Sequence, residues 1–335
     1  MTDAAQQTGV AVVLVNLGTP AAPTPRAVRP FLREFLSDRR IVPLAPLVWQ
    51  PILNAVVLPS RGRKSAAKYA SIWTDDGSPL LVHTLAQTAG LARRLGGDGV
   101  RVAAAMRYGE PSLGSVLDGL VADGIRRVLV VPMYPQFSTT TVATVFDALA
   151  RHLTKRADQP EYRTIRDWHD DPGYIEAAVR RVEETWAARG RPDFERGDKL
   201  LLSFHGIPLA AVRAGDPYPS ECAVTARLLR ERLGLDETMA PLTYQSKFGP
   251  GEWLTPATIQ TVGALARSGT RRLDVFCPGF AVDCLETDEE IGILNRDEFL
   301  GNGGETFVRV PCLNDSSPWL DALETIVRRN LAGWV

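Results

Sequence analysis

The chain has 335 residues, with 45% hydrophobic and 23% charged side chains. That is enough for about two domains with their own cores, without disulfide or metal staples. Lys and Arg total 38 against 39 Asp and Glu, a net charge of -1, which excludes a general nucleic-acid binder and a polybasic membrane tether.

Cys222, Cys277, Cys284 and Cys312 are scattered and form no C-x-x-C pair, which fits a reducing, cytoplasmic compartment. Residues 1–9 lack the basic and apolar regions of a secretory signal.

Taken in chain order, the pattern is a short apolar run, a Gly/Pro/Ser turn, then helical periodicity. A strand is predicted over 10–16 and a helix over 26–37. Residues 41–58 carry no charge, but Pro43, Pro46 and Pro51 break any single helix and Gln50 and Asn54 add polar cost against a membrane span. This stretch reads as a broken apolar lip, either a buried core segment or a surface that grips a large apolar ligand and leans on a bilayer. A helix over 82–95 follows. Strands over 100–106 and 127–131 then alternate with helices over 112–123 and 140–154. A helix over 173–189 leads into a polar, turn-rich stretch at 189–198, the nearest thing to a linker. The second half predicts strands over 200–204, 241–244 and 273–276, with helices over 220–233, 256–268, 284–295 and 317–332. Strands alternating with helices, apolar on both faces, predict an α/β protein with parallel sheets covered on both sides.

The chain also repeats itself. Residues 13–20 (Val-Leu-Val-Asn-Leu-Gly-Thr-Pro) resemble 201–208 (Leu-Leu-Ser-Phe-His-Gly-Ile-Pro), Arg107-Tyr108-Gly109 resembles Lys247-Phe248-Gly249, and the run from Gly124 resembles that from Gly269. The offsets are uneven, 188, 140 and 145 residues. Two similar α/β halves facing one another make a cleft, and ligands of such sheets sit beyond the carboxyl ends of the strands.

Chemistry-bearing residues fall at those ends. His205 closes the fourth predicted strand; it reads either as a satisfied structural histidine or as a proton acceptor and metal ligand. Beyond the sixth, Glu286 and Glu290 are four apart and share a helical face, with Asp283 nearby. They read either as a solvated helix start or as carboxylates neutralised by a cation. The Ser138–Thr141 hydroxyl cluster reads first as a helix cap. Tyr134 and Phe137 offer aromatic surface to a planar ligand, and Trp253, in a Gly/Pro-rich loop, reads as core or cleft wall. There is no dinucleotide fingerprint, P-loop or nucleophile elbow.

These segments together resemble ferrochelatase. The resemblance rests on Leu14-Val-Asn-Leu-Gly-Thr-Pro, Gly77-Ser-Pro, Arg107-Tyr-Gly, Tyr134-Pro-Gln-Phe-Ser-Thr-Thr, Ser203-Phe-His-Gly-Ile-Pro, Gly215-Asp-Pro-Tyr-Pro, Tyr244-Gln-Ser-Lys, Trp253-Leu-Thr-Pro and Cys277-Pro-Gly-Phe with Asp283-Cys-Leu-Glu-Thr, from about residue 10 to 315. It implies two Rossmann-like domains, 1–172 with a porphyrin-covering lip at about 30–60 and 173–313 carrying His205 and Glu286, with the active-site cleft between them. The helix at 314–335 is expected to pack back on the first domain. The implied activity is insertion of ferrous iron into a porphyrin in haem synthesis. His205 and Glu286 are the implied catalytic and metal-binding pair; Asp283 and Glu290 pass metal or protons; Leu17, Arg107, Tyr134 and Trp253 line the porphyrin pocket. Ferrous iron and porphyrin are substrates, no cofactor is expected, and a [2Fe–2S] cluster is not expected from four scattered cysteines. Leu17 stands where coproporphyrin-using relatives carry tyrosine, and Leu294 where relatives carry another acid. Leu17 and the apolar lip tilt the reading to protoporphyrin IX over coproporphyrin III. A cytoplasmic protein with peripheral membrane contact is expected, with other haem-pathway enzymes as partners. A chelatase of an early, carboxylate-rich tetrapyrrole, a non-catalytic haem or porphyrin carrier and a double-Rossmann glycosyltransferase are the rival readings.

Overall fold

Eight short strands form two separate four-stranded sheets in the computed structural model, which describes residues 9–247, 249 and 251–335. The signal-peptide reading at residues 1–8, and Phe248 and Pro250 of the Tyr244–Trp253 segment, lie outside the described residues. The first sheet has β1 (Gly9–Asn16), β2 (Arg101–Met106), β3 (Ile125–Pro132) and β4 (Glu161–Thr164) in the order β2-β1-β3-β4. The second has β5 (Lys199–His205), β6 (Leu242–Gln245), β7 (Arg272–Phe276) and β8 (Thr306–Arg309) in the order β6-β5-β7-β8. Every pairing is parallel, and Ala11 to Val15 of β1 are fully buried, as a strand covered on both faces demands. β4 and β8 were not expected. Each is a four-residue edge strand (Glu-Tyr-Arg-Thr, Thr-Phe-Val-Arg) with charged positions and no sustained apolar run.

The matched segments fall at equivalent places in the two sheets. Asn16 and His205 end β1 and β5, Arg107 and Lys247 follow β2 and β6, and Gly124 and Gly269 precede β3 and β7. The offsets are uneven because the connection from β1 to β2 holds α1 (Pro25–Ser37), α2 (Pro46–Ile52), α3 (Leu58–Ile72) and α4 (Pro79–Leu95). Next come α5 (Leu113–Ala122), α6 (Val142–Leu153), α7 (Pro172–Arg189), α8 (Leu209–Arg213), α9 (Tyr218–Leu233) and α10 (Thr258–Arg267). A π-helix, Glu286–Asn295, runs into α11 (Arg296–Gly301), and α12 (Ser317–Leu331) closes the fold.

α7 starts where the Asp171 carboxylate accepts the Gly173 amide at 2.9 Å, a side-chain cap for an otherwise orphaned donor. Its apolar residues Ile175, Val179 and Val182 join Leu14 and Leu129 of the first sheet, Leu202 and Phe204 of the second, and Leu323 of α12 in one core. α12 returns to the first half: Asp321 pairs with Arg94 at 2.7 Å and Arg328 with Asp98 at 2.6 Å. The stretch 189–198, read as a linker, is instead pinned to β7. Arg272 donates to the carbonyl of Gly190 at 2.6 Å, and its own amide is held by Asp198 at 3.1 Å.

The lip differs most from expectation. Residues 41–45 stay non-helical, with Pro43 in that turn, as expected, but the helix runs on from Pro46, which opens α2 where no amide is needed, and continues through Pro51 inside it. A π-turn at Leu53–Val57 then widens the ladder just before Pro59 in the first turn of α3. Its two faces share the two earlier readings. Leu53 and Leu58 are buried with Leu36, while Leu44, Val48, Ile52 and Val56 are exposed and Leu47 is 93% exposed. No described helix is long and apolar enough to cross a membrane.

Candidate active site

The carboxyl ends of both sheets converge below the lip. Gly18, at φ 107°, lets the loop after β1 touch the loop after β2; a Cβ there would lie 1.8 Å from the Tyr108 carbonyl oxygen. Arg107 is buried against Asp38 at the end of α1 and donates through Nε to the Thr144 carbonyl at 2.8 Å. Its guanidinium lies 4.2 Å over the Tyr108 ring, and Tyr108 also donates to Asp38 at 3.0 Å. This predicted pocket residue therefore ties lip to floor through a pair that no local motif announces.

His205 is the last residue of β5 and is half-buried. Its Nδ1 lies 2.6 Å from the Gly206 carbonyl, which can only accept, so Nδ1 carries the proton and the lone pair of the neutral ring is the one on Nε2. Gly206 is needed here: a Cβ would meet the Gln245 carbonyl at 2.9 Å and the Trp253 ring at 3.4 Å. Trp253 thus stands beside the strand tip, half-buried, and the His205 ring lies 6.5 Å from that of Phe280.

Glu286 and Glu290 both lie half-buried on the π-helix. Burial pushes the Glu290 carboxyl above its ordinary pKa, opposed by two hydrogen bonds from Ser246 and by His205, while Glu286 adds to the rise. Glu286 also acts on Tyr69 of α3 and on Tyr134 after β3, so it stands between α3 and the loop after β3. The Tyr134 hydroxyl is enclosed without a hydrogen-bond partner, and burial pushes its pKa up. Leu17 is half-buried, packed with Tyr69 and Tyr108 on one side and Leu80 and Val282 on the other.

Asp283 sits in a different setting. Its carboxylate accepts from Arg309 at 2.5 Å, Thr287 Oγ1 at 3.1 Å, the Cys312 amide at 3.2 Å and Asn314 Nδ2 at 2.8 Å. Burial alone would raise its pKa; Arg309 and the hydrogen bonds outweigh that and hold it below the usual carboxylate value. Arg309 also holds Asp288 at 2.8 Å. The neighbouring Glu289 takes Lys68 of α3 at 2.8 Å. Arg309 and Lys68 gave no sequence signal, because their partners are remote in the chain. Gln245 and Ser246 lay inside a matched segment without an assigned role.

The hydroxyl cluster after β3 is no simple cap. Thr141 makes no capping bond, while Ser138 Oγ and the Thr139 amide bond Asp216 of the second half at 2.9 and 2.7 Å. Phe137 lies beneath Arg166, 4.4 Å from its guanidinium, so that face is covered. Among the described residues, the His/Cys/Asp/Glu group whose ligand atoms come within 4.8 Å of one another is Asp167, His169 and Asp170, on the crossover before α7. There Arg166 already pairs with Asp167 and with Glu221. His205, Glu286 and Glu290 are not drawn into such a closed cage.

Comparison with known proteins bears on the family and the fold. The ferrochelatase family model matches residues 9–331. The fold is similar to SirB from Bacillus subtilis with Fe3+, at 12% identity and a TM-score of 0.55, covering 97% of this chain and 96% of that one. It is also similar to the sirohydrochlorin chelatase SirB from Bacillus subtilis subspecies spizizenii in complex with cobalt, at 9% identity and a TM-score of 0.51, covering 96% and 94%. At such identities the likeness is one of fold.

Proposed function

The chain belongs to the ferrochelatase family, and we propose that it inserts ferrous iron into protoporphyrin IX, forming protohaem and releasing two protons. The observation that carries this reading is the placement of a proton-accepting His205 Nε2, fixed by its Nδ1 contact to Gly206, near a π-helix bearing Glu286 and the electrostatically linked Glu290. A free-base porphyrin is flat, apolar and holds two pyrrole protons. Metal enters when the ring bends and those protons leave, so the protein supplies a shaped slot, a base and carboxylates for the cation. His205 takes a pyrrole proton at Nε2, and the Gly206 carbonyl steadies the imidazolium through Nδ1–H. Glu286, with Glu290 behind it, offers carboxylate oxygens that suit ferrous iron. Leu17, Tyr134 and Trp253 line the ring. Asp283, locked by Arg309, holds the start of the π-helix.

Protoporphyrin is favoured because Leu17 offers no hydrogen bond to a carboxylate, and burying a charge against such a wall is costly. The exposed row Leu44, Leu47, Val48, Ile52 and Val56, with exposed Arg63 and Lys64 nearby, suits peripheral contact with a bilayer. The test is an anaerobic competition between protoporphyrin IX and coproporphyrin III. A higher kcat/KM for protoporphyrin is expected; a clear preference for coproporphyrin overturns the substrate assignment, and binding of both without turnover leaves a carrier.

A further inference from the structure

Gln245 and Ser246 end β6 and meet the candidate site from one side. Gln245 is the register partner of His205 on the adjacent parallel strand, and its carbonyl accepts the Gly206 amide at 2.7 Å. Its buried side chain is engaged at both ends. Oε1 accepts from Ser203 Oγ at 2.7 Å and from the Cys277 thiol at 3.4 Å. With two donors on that oxygen, Nε2 faces the other way, to the backbone carbonyl of Glu286 at 2.7 Å. Ser246 follows at φ 66°, a conformation unfavourable for a side chain other than glycine or asparagine. That backbone turns both its amide and its hydroxyl onto the Glu290 carboxylate, at 2.7 and 2.5 Å. Among the described residues the other non-glycine at positive φ is Asn314, which brackets Asp283 with two hydrogen bonds. Strain of this kind persists where the surroundings over-determine it, commonly at functional sites.

We propose that Gln245 and Ser246 are positioning residues: one clamp fixes the backbone of Glu286 and the side chain of Glu290 against the strand that carries His205. The inference rests on the proposed metal insertion, since it states how that site is kept in register. The clamp connects the strand of His205 to both acids. It fixes the Glu290 carboxylate through two donors, the Ser246 amide and hydroxyl.

The test is Ser246→Gly, which deletes the hydroxyl while relieving the strained φ, so the fold is not expected to suffer. Three quantities are measured: the thermal midpoint, steady-state iron insertion, and Co2+ affinity of the metal-free protein from its visible absorption. The clamp predicts a midpoint equal to or above the parent's and a porphyrin KM within about twofold. It also predicts that kcat and Co2+ affinity fall about 10-fold or more, as when outer partners of metal sites are lost. A parent that works, with a variant unchanged in kcat and Co2+ affinity, overturns the clamp and leaves the proposed function standing. A kcat loss that merely follows a lowered midpoint also overturns it. A parent that neither binds Co2+ nor inserts iron removes the proposed function, and the clamp with it.

Discussion

Replacing Asp283 with alanine separates a structural acid from a proton carrier. Asp283 accepts hydrogen bonds from Arg309, Thr287, the Cys312 amide and Asn314, and only 7% of its side chain is exposed. Breaking a buried ion pair from one side costs about 3–5 kcal/mol. Arg309 keeps Asp288, which places Asp283→Ala toward the lower end, at about 3 kcal/mol. At roughly 2–3 °C per kcal/mol in a chain of this size, the calorimetric midpoint should fall by about 6–9 °C. Because its folded pKa lies below the ordinary 3.8, this stabilisation is fully present above that value. It is lost only as pH falls through the folded pKa, so the gap between parent and variant should be complete at pH 7 and close in acid. Turnover per folded molecule, measured well below the midpoint, should stay within about threefold. A variant as stable as the parent but more than about 100-fold slower would refute this reasoning and put Asp283 back in the metal or proton path.

Three further outcomes follow from the same geometry. Leu47→Asp should abolish co-sedimentation with anionic vesicles while moving stability by no more than about 0.5 kcal/mol, since the side chain is 93% exposed; unchanged sedimentation would remove the lip from membrane contact. Gly18→Ala should yield little folded protein, because its Cβ would lie 1.8 Å from the Tyr108 carbonyl, and a variant with the parent's thermal midpoint would contradict the fit described for the two loops. Burial and the Asp283 charge raise Asp288 to about 6, against Arg309. The folded state therefore binds the proton more tightly, and stability is lost as pH rises from about 4 to 6. Asp288→Asn should then gain up to about 3 kcal/mol at pH 8 and nothing near pH 4; a less stable variant at pH 8 would show that the Arg309 pairing outweighs burial.

Much of this was legible in the sequence because it is local. The runs that became β1, β3 and β5 are apolar on both faces, and His205 ends β5 while Glu286 opens the π-helix that comes after β7. The edge strands β4 and β8 were hidden because each is four residues long, carries charged residues and pairs on one side, so neither needs an apolar run. In the lip, proline rules hold at Pro43, which stays in a turn, but not at Pro46, which sits at a helix start, nor at Pro51, which the helix carries in its interior before the π-turn at 53–57. The setting of Asp283 depends on Arg309, Cys312 and Asn314, and that of Arg107 on Asp38. Such partners are set by tertiary packing and leave no periodic trace. The i, i+4 spacing placed Glu286 and Glu290 on one face, but not the Ser246 hydrogen bonds that hold Glu290.

The central claim is best met by one rate: anaerobic insertion of ferrous iron into protoporphyrin IX, followed as porphyrin bands give way to haem bands, for the parent and for His205→Ala. The account predicts turnover by the parent and a loss of about 10²–10⁴-fold in the variant, the usual share of a positioned acid–base group, with porphyrin still bound. Equal rates in parent and variant would contradict it.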